Sequence, residues 1–316
     1  MSKINKKLLD IHTELDRAIL DLAFFGKLNH NFHPAAAGDV SQVFSSEAST
    51  ELASRFHSQA SKWFPISKIE ELAYIRADGR TDYRSEGVSN TSFYAYSKCL
   101  ANRVMLITRT GSQIPAISQT ILEGLEGTLL VLLEINDAGD AIRILFGNKQ
   151  FGSIPSIETH VHILGGAIGI KEGIETPALV HAHPLELILL ASHPRIKGNQ
   201  DLFNAILYTQ VEGINRIEPG LVALVLYKPS GSAILVESSI SSLERHKIVI
   251  WLNHGVVVRA SSIERGYAVM AYADRDAKVA LQALAGKFVG LPFDVVESFL
   301  RQHNLLDSYN HLGLNK

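Results

Sequence analysis

The sequence predicts an α/β protein of the α+β kind, with a central sheet covered by helices, on three observations. Short runs dense in Leu, Ile and Val, bounded by Gly, Asn or Asp, begin at Val104 and recur as far as Val258. Between them lie stretches whose apolar residues recur at helical spacing, and strands alternating with helices argue for helices packed over a sheet. The chain has 316 residues, 46% hydrophobic and 20% charged, a length that α/β architectures carry as one domain. One domain over 1–316 is therefore expected, with an elaboration at about 42–103.

The elements follow in order. From Lys3 to about Phe25, Leu8, Ile11, Leu15, Ala18, Ile19 and Leu22 recur three and four apart and place one apolar stripe on a helix. Gly26 to Thr50 is rich in His, Asn, Ala, Gly and Ser and reads as loop with one short strand around Val40 to Phe44. A helical piece near Glu47 to Trp63 and turns at Asp78-Gly79 and Arg84 to Asn90 fill the elaboration, to which no function attaches. Strands are expected at Val104 to Thr108, Thr128 to Ile135, Ile142 to Phe146, Ala178 to His183, Leu221 to Tyr227, Ala233 to Val236 and Ile248 to Val258. Helices are expected at Leu185 to Ala191, Gln200 to Gln210, Ser239 to His246, Ser262 to Ala285 and Pro292 to Gln302. No internal repeat or low-complexity segment interrupts the pattern.

Charge and cysteine content exclude several classes. With 30 Lys and Arg against 32 Asp and Glu, the net charge of -2 gives no reason to expect nucleic acid as a partner. The single cysteine, Cys99, forms no internal disulfide and makes no thiolate metal site, which fits a reducing compartment. Asp10, His12, Glu14 and Asp16 interrupt what would have to be an apolar signal core after Lys3, Lys6 and Lys7, and there is no run of about eighteen apolar residues. The expectation is a cytoplasmic protein that does not engage a membrane.

Histidine is the compositional oddity. Of 13 in the chain, seven (His160, His162, His181, His183, His193, His246 and His254) fall between positions 160 and 254. His181-Ala182-His183 follows the apolar run Ala178-Leu179-Val180, and two residues i and i+2 on a strand point to the same face. Two imidazoles so fixed occupy neighbouring corners of a coordination polyhedron, and a third His with an open position makes a catalytic zinc site. His254, ending Ile248 to Asn253 and followed by Gly255, is the third candidate. Taken alone, a His-x-His pair is more often an ordinary hydrogen-bonded pair; the apolar strand beneath each element favours the metal. Upstream, if a helix opens at Ser156 as N-cap, Glu158 and His162 share a face. Glu158 is then either a solvated first-turn acid or, beside a metal, a ligand or general base.

Five segments together resemble the class II aldolase/adducin family. They are Ala36-Ala37-Gly38-Asp39-Val40-Ser41, Met105 to Gly111 ending in Thr110-Gly111, Ser156-x-Glu158-x-x-x-His162, Val180-His181-Ala182-His183-Pro184, and Leu252-Asn253-His254-Gly255. Arg245 to Trp251, running into the last of these, is similar to one aldolase branch in particular. The resemblance implies a mostly antiparallel central sheet in a three-layer architecture. It implies Zn2+ or another divalent metal on His181, His183 and His254, with Glu158 as the catalytic carboxylate. It also implies a small-molecule partner, a sugar or sugar phosphate: the cation stabilises the enediolate left when a ketose 1-phosphate is cleaved to dihydroxyacetone phosphate and an aldehyde. Family members of this kind are usually homotetramers.

The same resemblance places Gly38, Asp39, Thr110, Gly111 and Ser156 as substrate or phosphate contacts, with three departures. Asp39 stands where the family has Asn, and its charge repels phosphate unless turned away or neutralised. Ile157 replaces a serine, and Asn215 or Arg216 falls near where that aldolase branch supplies an acid, so the proton donor is unassigned. Same-fold epimerases and dehydratases, and a non-catalytic adducin-like interaction module, are the competing classes. Glu158 mildly favours the aldolase, since the epimerase branch tends to carry Asp there, and three converging histidines argue against the module. A structural zinc site is less suited to an all-His set with no Cys.

Overall fold

The computed structural model describes residues 13–33, 38–68, 91–109, 111–123, 129–147, 158–208, 222–286 and 292–302. Nine strands form one sheet: β1 Asp39–Val43, β2 Phe64–Pro65, β3 Val104–Thr108, β4 Leu130–Ile135, β5 Ala141–Phe146, β6 Ala178–Ala182, β7 Val222–Val225, β8 Ile248–Trp251 and β9 Gly255–Ala260. Their spatial order is β2-β5-β4-β3-β1-β6-β9-β8-β7. Every pairing is antiparallel except that of β7 with β8. The expected mixed α/β architecture, a central and mostly antiparallel sheet flanked by helices, is what the chain adopts.

Helices cover both faces: α1 Glu14–Leu28, α2 Ser46–Phe56, α3 Thr91–Ser97, α4 Ile117–Glu123, α5 Thr159–Lys171, α6 Leu185–Ser192, α7 Gln200–Tyr208, α8 Ala233–Arg245, α9 Ile263–Leu284 and α10 Phe293–Gln302. Because successive strand residues face opposite ways, each buried strand feeds two cores. Val104, Leu106, Val180, Val256 and Val258 join the core under α1, α6, α7 and α9. Met105, Ile107, Leu179, Val257 and Trp251 join the other, under α3, α5 and α8. The continuous Val, Ile and Leu runs of the sequence are explained by this burial on both sides.

Three boundaries differ from the sequence reading. Ala233 to Val236, expected as a strand, is the first turn of α8, which continues into the expected helix at 239–245; Ser232 caps it by accepting from the Leu235 N–H, and Leu235, Val236, Ser239, Ile240 and Leu243 form its buried side. A run of four apolar residues does not distinguish strand from helix, and the cap decides it. The expected strand from Ile248 to Val258 is a hairpin, β8 and β9, in which Trp251 pairs with Gly255. The turn is signalled by Asn253, which adopts φ 59°, a left-handed conformation that Asn tolerates better than most residues. At the third, α5 begins at Thr159 with Glu158 as its N-cap, while Ser156, the expected cap, lies outside the described residues.

Two packing details position the candidate site. Helix α5 is buried along most of its length, and a Cβ on Gly165 would come 2.3 Å from Leu179 Cδ1 and one on Gly166 2.7 Å from Val43 Cγ2. Glycines there let α5 lie close on β6 and β1, which brings its N-terminus to the strand ends. On the opposite face, Asp274 of α9 accepts from the Leu187 N–H at 3.1 Å, satisfying a first-turn donor of α6, the helix that follows His183-Pro184.

Burial, with Glu186 nearby, raises the Asp274 carboxyl from the ordinary 3.8 to about 6, against the opposing backbone N–H donors. The folded chain therefore binds this proton more tightly than the unfolded chain, and the associated stability is present below about pH 4 and lost as pH rises through 6. Asp274→Asn should remove that slope. Denaturant unfolding of both proteins at pH 4.5 and 7 is expected to favour the variant increasingly at the higher pH, by about 1–2 kcal/mol after allowance for solvent screening; parallel stability curves would contradict it.

Candidate metal centre

The sheet brings His181, His183 and His254 together at one end of β6 and β9. His181, on β6, lies opposite Asp39 of β1 and Val257 of β9. It is 1% exposed, and its Nδ1 is 3.1 Å from the Val256 carbonyl oxygen. A carbonyl only accepts, so Nδ1 carries the proton and the Nε2 lone pair is free to coordinate. His183 stands one residue beyond the strand, its backbone N–H donating to the Phe32 carbonyl at 2.8 Å. His254 sits in the β8–β9 turn, its ring stacked on Trp251 with centroids 5.1 Å apart.

The separations match the edges of a coordination polyhedron. His181 Nε2 is 3.3 Å from His183 Nε2 and 3.3 Å from Glu158 Oε2, and His254 Nε2 is 3.5 Å from Glu158 Oε1. A tetrahedral zinc site with metal–nitrogen distances of about 2.05 Å has ligand–ligand edges of about 3.3 Å. The ligand atoms of the three histidines all lie within 4.8 Å of one another, as do those of Asp39, Glu158 and His181. His254 Nδ1 is buried without a hydrogen-bond partner, while the Ser230 hydroxyl lies 3.1 Å from its Nε2.

The electrostatics suit a cation as well. Burial holds His181 well below the ordinary imidazole value, with His254 and His183 adding to the effect. Burial likewise lowers His183, and burial together with His183 takes His254 down to about 4. Neutral imidazoles are the form a metal requires. Glu158, the N-cap of α5, makes no side-chain cap hydrogen bond; its carboxyl turns instead to the histidines. Burial first, and then Asp39, push it well above the ordinary carboxylate value. The donor set of three neutral nitrogens and a carboxyl fits Zn2+ or another divalent ion.

Other expected site residues are placed unevenly. Asp39 is buried and is tied at 2.5 Å to His162 Nε2, so its charge is turned toward α5 and away from an open surface. Burial pushes its carboxyl up, but the charge and hydrogen bond of His162 outweigh that and hold it below the ordinary value. Gly38 precedes it at φ 82°, in a conformation that favours glycine. Gly111 is exposed at φ 71°. Thr110 and Ser156, with Ile157, Asn215 and Arg216, lie outside the described residues. His162, four residues on from Glu158 and bonded to its carbonyl through the backbone N–H at 3.2 Å, contacts Ser41 Oγ through Nδ1 at 2.6 Å. The sequence reading missed Ser230 and Trp251 as site neighbours; it placed His162 on the face of Glu158 but not its contact with Asp39, which spans 123 positions.

Fold and site together place three histidines and a carboxylate in one cluster at a strand end, a group that could hold a metal ion. A family model described as the class II aldolase and adducin N-terminal domain matches residues 90–281. The chain therefore belongs to the class II aldolase and adducin family. It is 21% identical over 187 residues to a rhamnulose-1-phosphate aldolase of Klebsiella pneumoniae, a match covering 59% of this chain and 65% of the relative, so somewhat less than two thirds of that relative's length is spanned. Among solved structures it is similar to a sugar-phosphate aldolase from Thermotoga maritima, with a TM-score of 0.60, 18% identity, and 87% of this chain and 98% of that one covered. An L-fuculose 1-phosphate aldolase superposes with a TM-score of 0.51 at 15% identity, covering 93% and 99% of the two chains. Among the described residues no helix is long and apolar enough to cross a membrane.

Proposed function

We propose that the protein is a metal-dependent carbon–carbon lyase that cleaves a ketose phosphate, such as rhamnulose 1-phosphate, by a retro-aldol reaction. The observation that carries this reading is the convergence of His181, His183 and His254 with Glu158 at separations of 3.3 to 3.5 Å, on a fold whose relatives include sugar-phosphate aldolases. His181, His183 and His254 would hold the cation. When bound, a divalent ion supplies a Lewis acid for the ketose carbonyl and offsets the negative charge that develops as the C3–C4 bond breaks.

In the cleavage direction the C4 hydroxyl loses its proton to solvent as the aldehyde carbonyl forms, the C3–C4 electron pair passes to C3, and Glu158 delivers a proton there; in condensation Glu158 removes it. Burial and Asp39 raise its proton affinity above that of an ordinary carboxyl, the direction that suits a group exchanging a proton with carbon. Trp251, fully buried and packed at 4.9 Å and 5.1 Å against the His181 and His254 rings, excludes water from the inner side of the centre and fixes both rings. The Val256 carbonyl keeps His181 in the coordinating tautomer. Gly38, Gly111, Thr110 and Ser156 are the proposed contacts for the substrate's phosphate end.

Glu158→Gln tests the proton role separately from the metal. The variant keeps the size and removes the ionisable group, so it should fold and retain stoichiometric metal while kcat falls about 10²–10⁴-fold, the usual worth of a positioned acid–base group. Turnover at the wild-type rate would remove Glu158 from the chemistry.

A further inference from the structure

Asp39 stands in the same buried cluster as the proposed ligands, and the sheet explains why. It is the cross-strand partner of His181, so the two side chains leave the same face of adjacent strands. Ligand atoms of Asp39, Glu158 and His181 lie within 4.8 Å of one another, so the two carboxyl groups are close neighbours.

What clamps Asp39 is equally definite. His162, from the first turns of α5, contacts Asp39 Oδ1 through Nε2 at 2.5 Å and Ser41 Oγ through Nδ1 at 2.6 Å. All four residues are buried, with Asp39 3%, Ser41 2%, Glu158 5% and His162 1% exposed. With both ring nitrogens engaged, His162 fixes the Asp39 carboxyl through Oδ1 within reach of Glu158 and His181. Two carboxyl groups close together away from water repel one another when ionised; His162 offsets the charge of Asp39 on one side, and a cation held by the histidines would offset it on the other. A carboxylate serving only to bind a surface anion would have no reason to be held there.

We propose that Asp39 is a second carboxylate of the metal centre, and that His162 is the positioning residue that presents it. The proposal rests on the reading of His181, His183 and His254 as a metal site, and deepens it: the cation would meet three imidazoles and two carboxyl groups. An asparagine at 39 would keep the shape and the contact with His162 but supply no negative charge.

The test is metal binding by the full-length protein stripped of metal, measured by competition with a chromophoric chelator for Zn2+ and by the visible absorption of the Co2+ form. Wild type, Asp39→Asn, His162→Gln and His183→Ala are compared. Asp39→Asn is expected to weaken Zn2+ binding about 10–100-fold, the scale on which groups that support a metal site act, and to alter the Co2+ band intensities. His162→Gln should give a smaller loss in the same direction, and carries the test if Asp39→Asn fails to fold. Asp39→Glu, which restores the charge, should recover part of the affinity. Wild-type Zn2+ affinity and an unchanged Co2+ spectrum in Asp39→Asn, with binding lost in His183→Ala, would overturn this proposal and leave the three-histidine site standing. Absence of Zn2+ binding by the wild type would overturn both.

Discussion

His183→Ala is expected to lose bound metal and turnover together. His183 is held by the hydrogen bond from its backbone to Phe32, which does not depend on the side chain, so truncation leaves the strand end in place. What disappears is the imidazole whose Nε2 lies 3.3 Å from that of His181. Loss of a whole ligand should exceed the roughly 10–100-fold cost of removing a supporting group. Activity then falls with occupancy, by about 10³-fold or more, since the Lewis acid is worth several kcal/mol at about 1.4 kcal/mol per tenfold in rate. Metal content after desalting and kcat with saturating substrate check it; stoichiometric metal in the variant would remove His183 from the ligand set.

Gly255→Ala should damage the same centre without removing any donor. A Cβ at this position would lie 2.5 Å from His181 Cε1, 2.8 Å from His183 Cδ2 and 2.9 Å from the Ala182 carbonyl oxygen. The carbonyl belongs to β6, which is paired on both sides, so the rings must give way. Displacing two ligand rings by a substantial fraction of an ångström is expected to cost metal affinity at least about tenfold, and a misplacement of about 1 Å at a reacting centre can cost about 100-fold in rate. Circular dichroism should show the sheet retained. Wild-type metal affinity in Gly255→Ala would mean that the rings are less tightly fixed than the packing indicates.

The histidine trio was legible because each member is attached to a strong local signal. Ala178-Leu179-Val180 reads as a buried strand and forms one, β6, which puts His181 and His183 at its end; Ile248 to Trp251 does the same for His254. The local turn was less legible. His254 lies after a tight turn made by Asn253, and the sequence showed one apolar run where the chain folds back on itself. The start of α5 was less legible too: Ser156 is a good capping residue by type, whereas Glu158 takes the N-cap position with its carboxyl near the histidines. Local capping preference yields there to the site.

Asp39 shows what a single sequence leaves out. Its departure from the family pattern was visible, and so was the difficulty of setting a negative charge beside a phosphate. Nothing near position 39 in the sequence announces that His162 receives that charge, because the contact is made by β1 and α5 meeting in space. The three small residues that let α5 lie close to the sheet, Gly165, Gly166 and Gly169, read locally as poor helix formers. Their reason is the neighbouring strand, since added Cβ atoms would meet Leu179, Val43 and Pro177.

The most direct measurement is metal analysis of the purified protein followed by a retro-aldol assay on a panel of ketose 1-phosphates and their unphosphorylated counterparts, with and without chelator. Stoichiometric divalent metal and release of dihydroxyacetone phosphate that chelator abolishes and metal restores is the predicted result. Cleavage that proceeds unchanged in chelator, or protein that takes up no divalent metal, would contradict a metal-dependent lyase built on His181, His183, His254 and Glu158.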